Sequence, residues 1–382
     1  MYTVPNYNRM LADRVRVEAY ARALQQAIRP DSVVVDIGAG TGIMTLLACR
    51  FGARRVFSIE PDDVIQVACE VIRASGYADR AEFFQQLSAS VTIPERADVI
   101  VSDLRGALPL MESHLPTIVD ARQRFLKPGG VLIPHSDTLW AAVAEATDLY
   151  SSQVLSQAPD GLRFDFEPAR RRACNHLLKA NVSPDQLLVD PQCWATLDYS
   201  RVESADSSGE LRWTVKRDGT AHGIILWFDT ILAPGVEFSN SPAAPELIYG
   251  KVLLPFEQPV SLAVGDGVSL GLHADLVRGN YIWRWNTRVD DGASPGKVKA
   301  EFAQSTFFAA PLSPVQLRKQ SASHVPLPNA DAEIDYLVLS QFRDGTPLGQ
   351  IAHRLVQQFP GRFSSEVDAL THVAELSLKY SQ

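Results

Sequence analysis

Cysteine is scarce in this chain: Cys49, Cys69, Cys174 and Cys193 are the only four in 382 residues, and no two stand in a Cys-x-x-Cys pair. That spacing supports neither a disulfide framework nor a cysteine-based zinc site, so no metal is expected. Long apolar runs are also missing. No stretch approaches the roughly 18 residues a membrane span needs, and Met-Tyr-Thr-Val-Pro-Asn-Tyr-Asn at the start has no apolar signal core. The expectation is a cytoplasmic protein with no membrane partner. A basic excess is lacking too. The formal net charge is -8, which gives no positive field for nucleic acid. What remains is 46% hydrophobic and 21% charged residues, the make-up of a globular protein long enough for two or three domains.

The densest signal is Val33-Val34-Val35-Asp36-Ile37-Gly38-Ala39-Gly40-Thr41-Gly42. A β-branched run that closes on an acidic residue and three alternating glycines predicts a buried strand turning tightly into a helix. Glu60, eighteen residues after Gly42, closes Val56-Phe57-Ser58-Ile59-Glu60, the expected neighbouring parallel strand. A nucleoside cofactor fits across two such strand ends. The glycines admit close backbone approach, and the Glu60 carboxylate can accept hydrogen bonds from both ribose hydroxyls. Because Gly-x-Gly-x-Gly lacks the third glycine interval of a dinucleotide fingerprint, no pyrophosphate is implied. A nicotinamide enzyme stays open as an alternative.

Apolar positions Leu11, Val15, Ala19, Leu24 and Ile28 follow a helical period, which predicts one helix from Met10 to about Ile28. Strand runs at 33–37, 56–59, 82–85, 98–102 and 130–134 then alternate with helical stretches, the rhythm of a parallel sheet covered on both faces. After Trp140 the pattern turns to strands separated by Arg217-Asp218-Gly219 and Val264-Gly265-Asp266-Gly267, as in an antiparallel barrel or sandwich. Trp140, Trp227, Trp283 and Trp285 fall in those strands and are expected to pack the barrel. A basic, helical stretch around Arg170-Arg171-Arg172 interrupts them and is read as a projecting arm. The expected organisation is an N-terminal helix (1–30), an α/β sheet domain (31–140), a β-barrel domain (141–312) with its arm at 166–187, a linker (313–330) and a helical domain (331–382).

Ser102-Asp103-Leu104-Arg105-Gly106-Ala107-Leu108-Pro109-Leu110-Met111-Glu112-Ser113 follows the fourth strand, at the carboxyl edge where such sheets place ligands. Its two carboxylates stand nine positions apart, as 112 − 103 = 9. Together with the glycine loop, Met10-Leu11-Ala12-Asp13-Arg14-Val15-Arg16 and Gly52-Ala53-Arg54-Arg55-Val56, this hairpin resembles the protein arginine methyltransferases. The likeness runs, with weaker motifs, to about residue 310. It implies a Rossmann-like class I methyltransferase fold, S-adenosyl-L-methionine as cofactor, and a homodimer closed through the arm at 166–187. It also implies roles for residues. Gly38 and Gly40 would pass under the methionine moiety after Asp36, Glu60 would hold the ribose, Arg16 would pair with the cofactor carboxylate, and Met10 would touch the sulfonium side. Ser88 would meet the adenine and His114 would line the cofactor pocket, while Asp103 and Glu112 would be the catalytic clamp on the acceptor.

Departures from that pattern predict a divergent, bacterial member. Asp103 is one methylene shorter than the family's glutamate, and Arg105 replaces the usual methionine. Leu247-Ile248-Tyr249 stands for Thr-His-Trp, Leu87-Ser88-Ala89-Ser90 carries no carboxylate for the adenine, and the leading tyrosines reduce to Tyr2 and Tyr7. The expected acceptor is therefore a guanidino or amino group of a peptide or small metabolite. O-methylation of a natural-product intermediate, with Arg105 offsetting the acidic loop, and an inactive cofactor-fold scaffold are the alternatives. Within the tail, Asp344 to Pro360 weakly resembles peptide-chaperone domains of peptide-modifying pathways.

Overall fold

The computed structural model describes residues 3–155 and 165–381, and Tyr2 lies outside them. Two compact units result, Met1–Pro311 and Leu312–Gln382.

The first unit opens with α1 (Val4–Ala12) and α2 (Arg14–Ala27), where the sequence predicts one helix. The break is at Asp13, whose ψ of 88° leaves the helical region and whose side chain caps the second helix by accepting from the Arg16 amide at 3.1 Å. Then come β1 (Val33–Ile37), α3 (Ile43–Arg50), β2 (Arg55–Ile59), α4 (Ile65–Ala74), β3 (Ala81–Phe84), β4 (Ala97–Ser102), α5 (His114–Phe125) and β5 (Leu126–Ile133). These five strands form one parallel sheet in the order β3-β2-β1-β4-β5. Its central strands β1, β2 and β4 are largely buried because helices cover both faces, which is why β1 reads Val-Val-Val. Strand order reverses at β1, so the ends of β1, β2 and β4 lie side by side: Ile37 is level with both Ile59 and Ser102. That is the switch point where doubly wound sheets open a crevice.

The chain continues through β6 (Ser136–Ala144), α6 (Thr147–Gln153), α7 (Glu167–Ala173), β7 (Leu178–Ala180), β8 (Gln192–Asp198), β9 (Ser207–Thr214), β10 (Gly219–Ala233), β11 (Val236–Ser239), β12 (Lys251–Leu262), β13 (Gly267–Val277), β14 (Asn280–Asp290) and β15 (Val298–Ser305). The expected barrel is not a closed one among the described residues. Its strands pair as two antiparallel sheets, β7-β12-β10-β6-β8 with β11 on β10, and β15-β14-β13-β9. They pack face to face through pairs such as Phe256–Phe302 and Trp194–Trp283, whose ring centroids are 5.5 and 5.8 Å apart. Trp283 and Trp285 are core residues as expected.

The arm segment also differs from its expectation. Within 166–187, α7 and a single 3-10 turn at Pro184–Gln186 are helical, and β7 joins the larger sheet as an edge strand on β12. Arg170 donates to the Glu257 carbonyl and Arg172 to the Ala310 carbonyl at 3.0 Å, so two of the three arginines fasten α7 to β12 and to the segment after β15, while Arg171 pairs with Glu167 within α7.

The second unit holds α8 (Pro314–Lys319), α9 (Ala330–Arg343), α10 (Leu348–Gln358) and α11 (Glu366–Tyr380). The last three enclose their own core of Ile334, Val338, Ile351, Leu355 and Val373. No helix among the described residues is long and apolar enough to cross a membrane.

Candidate active site

The glycine loop leaves β1 with Gly38 at φ 77° and Gly40 at φ 53°, conformations that side chains with a Cβ rarely adopt. Space enforces the same choice. A Cβ on Gly38 would lie 2.3 Å from Leu104 Cδ2, and one on Gly40 2.5 Å from Tyr7 Cε1. Glu60 enters from the end of β2, where its carboxylate accepts from the Gly40 amide at 3.0 Å and the Asp62 amide at 3.1 Å. Burial raises its carboxyl pKa above the ordinary value. Beneath the loop, burial pushes the Asp36 carboxyl up to about 6 although Thr45 Oγ1 donates to it at 2.7 Å. These groups line a cavity of about 220 Å³ together with Met10, Arg16, Asp103 and Glu112.

The helix break at Asp13 completes this cavity, because it lets α1 bring Tyr7 and Met10 to the opening. Asp13 also accepts from the Ile248 amide at 2.9 Å, which ties the break to the loop carrying Tyr249. Arg16, just inside α2, is 7% exposed. Its Nε donates to Asp103 at 2.5 Å and to the Tyr249 hydroxyl at 3.2 Å, and its Nη1 donates to the Met10 carbonyl at 3.2 Å. Its Nη2 makes no hydrogen bond among the described residues. Burial would raise the Asp103 carboxyl, but Arg16, Arg105 and the Tyr249 hydroxyl outweigh it and hold the group down to about 2.

Arg105 lies deeper and is fully engaged. Its guanidinium reaches Asp137 at 2.9 Å, Thr230 Oγ1 at 2.7 Å, the Tyr20 hydroxyl at 2.6 Å and Asp103 at 3.3 Å. Phe228 and Phe238 lie against it at 5.1 and 5.6 Å. The pair with Asp137 is dry, with both side chains 0% exposed. Asp137 also accepts from the Tyr199 hydroxyl, which sits 2.9 Å from His114 Nε2. Burial pushes the His114 ring down to about 3, with the nearby Arg105 charge adding to the effect.

Glu112 contrasts with these. It sits at φ 51°, is exposed, and has no hydrogen-bond or ion-pair partner among the described residues. It lines the loop cavity and also an adjoining cavity of about 300 Å³ that Met111, Leu177, Lys179 and Tyr249 help to form.

The structure thus gathers Met10, Arg16, Asp36, Gly38, Gly40, Glu60, Asp103 and Glu112 around one opening. Ser88 and His114 are not brought to it. Ser88 is buried in the loop after β3, where its carbonyl accepts from Arg124 at 2.6 Å, and His114 faces Tyr199. Sequence reasoning missed Tyr7 as a wall of the cavity and missed Asp137 and Thr230 as the anchors of Arg105. The local cue for Tyr7 was its place one turn ahead of Met10; no local cue marked the other two.

Two family models match the chain. Residues 20–138 match the ribosomal protein L11 methyltransferase model, and residues 135–278 match the arginine methyltransferase oligomerization subdomain. Protein arginine N-methyltransferase 6 of Xenopus tropicalis is 29% identical over 272 residues, 67% of this chain and 79% of that protein. The chain is an S-adenosylmethionine-dependent methyltransferase similar to the protein arginine N-methyltransferases. Other relatives agree. A probable protein arginine N-methyltransferase 6 of Arabidopsis thaliana is 30% identical over 247 residues, 63% of the methyltransferase described here and 55% of that protein. Two solved structures share the fold at 21% identity, each covering 78% of this chain and 96% of the other. They are Arabidopsis thaliana protein arginine methyltransferase 10, with a TM-score of 0.67, and the Trypanosoma brucei PRMT1 enzyme-prozyme heterotetrameric complex with AdoHcy, with a TM-score of 0.70. The two matched regions of the methyltransferase overlap at 135–138, where β6 starts and where Asp137 meets Arg105.

Proposed function

We propose that this methyltransferase methylates a nitrogen, the guanidino or amino group of a peptide or small metabolite, with Glu112 and Asp103 addressing the acceptor. The observation that carries the reading is Glu112, a carboxylate without a partner among the described residues on the wall common to the glycine-loop cavity and the adjoining 300 Å³ cavity. The relatives named above as arginine N-methyltransferases agree with a nitrogen acceptor.

The residues present fit S-adenosylmethionine, whose sulfonium supplies an electrophilic methyl group. Gly38 and Gly40 leave room where a Cβ would close the cradle. Glu60 is held by two amides and presents a carboxylate to ribose hydroxyls. Arg16 keeps Asp103 on its Nε while its Nη2 is left to pair with a carboxylate. On the acceptor side, Glu112 would accept a hydrogen bond from the nucleophilic nitrogen and take the proton that nitrogen gives up as its N–C bond replaces the S–C bond of the sulfonium, which leaves as a neutral thioether. Asp103 is fixed by three partners, so it orients the acceptor rather than closing on it. A phenolate or carboxylate acceptor would meet the Glu112 charge.

The test is a transfer assay with labelled cofactor against arginine peptides, free arginine, amines and phenols, followed by mass location of the methyl group. Label on nitrogen supports the reading. Label on oxygen establishes the O-methyltransferase, and cofactor binding with no transfer to any acceptor establishes the scaffold. A homodimer is part of the same proposal, supported by the match of residues 135–278 to an oligomerization subdomain. Light scattering on the intact protein checks it, and a monomer mass at micromolar concentration would end it. Deleting 166–187 is not a clean test, because that also removes β7 from its sheet.

A further inference from the structure

We infer that the β region carries a second binding site, for an organic cation of the guanidinium or alkylammonium class borne on a peptide residue, on the sheet face opposite the Arg105 network. Strand register places its parts. Trp227 and Asp229 alternate onto one face of β10, Trp140 and Thr138 stand opposite them on β6, and Ser239 stands opposite Asp229 on β11. Glu237, opposite Ile231, shares that face. Phe228 and Thr230 point to the other face, where they meet Arg105. The cavity bounded by these groups has a volume of about 640 Å³, within the range of small-molecule sites.

Its chemistry is specific in two ways. Asp229 and Glu237 have no cationic partner among the described residues, so two carboxylates address the cavity without compensation. Trp227 lines the cavity and is 3% exposed, yet its indole N–H donates to nothing among the described residues; the Trp140 indole N–H is also buried without a partner. Trp283 and Trp285 also have buried indole N–H groups without a partner among the described residues, but they lie in the core between the sheets, whereas Trp227 and Trp140 belong to the wall of this cavity. Carboxylates and indole rings together favour a cation over a neutral group. An indole N–H beside them is suited to a backbone carbonyl on the same ligand, which makes a peptide-borne basic residue the fitting occupant.

Titration of the intact protein with Nα-acetyl-arginine methylamide and Nα-acetyl-lysine methylamide, followed by tryptophan fluorescence and calorimetry, tests the site without any methyl transfer. At least one of the two should bind at least tenfold tighter than Nα-acetyl-norleucine methylamide. That preference should survive E112Q and fall at least tenfold in D229N/E237Q. E237Q alone, at an exposed position, keeps the test valid if the double variant does not fold, and should weaken binding at least threefold. Equal binding of the norleucine compound, or wild-type affinity in the folded variants, overturns the proposal. Neither result bears on the acceptor reading at Glu112.

Discussion

Glu60 and Asp103 are both carboxylates at the carboxyl edge of one parallel sheet, yet they are held in different ways. Glu60 is fixed by two backbone amides, which position it without neutralising it. Asp103 is fixed by Arg16, Arg105 and Tyr249, so its charge is already balanced before any ligand arrives. The cofactor end of the cavity is therefore a backbone device, set by a few residues close in sequence. The acceptor end is a side-chain network that joins α2, the β4 hairpin, β6 and β10. Within that end, Glu112 has no partner among the described residues, which separates the residue expected to do chemistry from those that hold the wall.

Replacing Arg105 should break this contrast most visibly. Arg105→Met leaves the buried Asp137 carboxylate with the Tyr199 hydroxyl but no cation, and loss of one partner of such a pair costs about 3–5 kcal/mol. Urea unfolding should show that loss, and adding Asp137→Ala should recover a substantial part of it, while affinity for S-adenosylhomocysteine in the folded fraction stays within a few-fold of wild type. An equally destabilised double variant would mean the pair is not the cause.

At the cofactor end, Gly38→Arg should abolish tight binding of S-adenosylhomocysteine. Calorimetry should read a loss of at least about a hundredfold, or roughly 2.8 kcal/mol, because the position has positive φ, a Cβ there must displace Leu104, and the long side chain enters the cavity wall. A variant that binds normally would remove the glycine loop from the cofactor site.

Acid should probe the network through His114. Its folded pKa, about 3, lies below the unfolded value of about 6.5, so the neutral ring contributes stability that is present above pH 6.5 and lost as pH falls towards 3. From pH 7 to pH 5 that amounts to about 2 kcal/mol. Asp36 works in the opposite direction. Its folded pKa of about 6 exceeds the unfolded value of about 3.9, so its contribution is full below pH 3.9 and lost as pH rises through 6. The His114 term is therefore read as the difference in slope between wild type and His114→Gln in unfolding at the two pH values. Parallel slopes would show that His114 is not buried neutral.

The same division explains what could be read from the sequence. The ends of β1, the glycine loop and Glu60 are legible because a β-branched run, left-handed glycines and a strand-end acid are local requirements. Two antiparallel sheets were legible as strands and turns, but whether they close into a barrel depends on pairings between strands far apart in the chain. The single helix expected from Met10 failed at Asp13, where a side chain that can cap a helix outweighed a continuous apolar period. His114 and Ser88 were misplaced because position near a motif does not determine direction: His114 turns to Tyr199, 85 residues away in sequence. Arg105 was legible as a neighbour of Asp103, but its partners Asp137 and Thr230, 32 and 125 residues further on, are brought to it only by the fold.

Glu112→Gln, assayed for transfer to the native acceptor and for thermal stability and compared with Asp103→Asn, tests the central claim most directly. The account predicts that Glu112→Gln lowers kcat/KM at least tenfold, about 1.4 kcal/mol of transition-state stabilisation, at unchanged melting temperature, whereas Asp103→Asn lowers both. A wild-type kcat/KM for Glu112→Gln would contradict it and leave the unpartnered carboxylate as loop architecture.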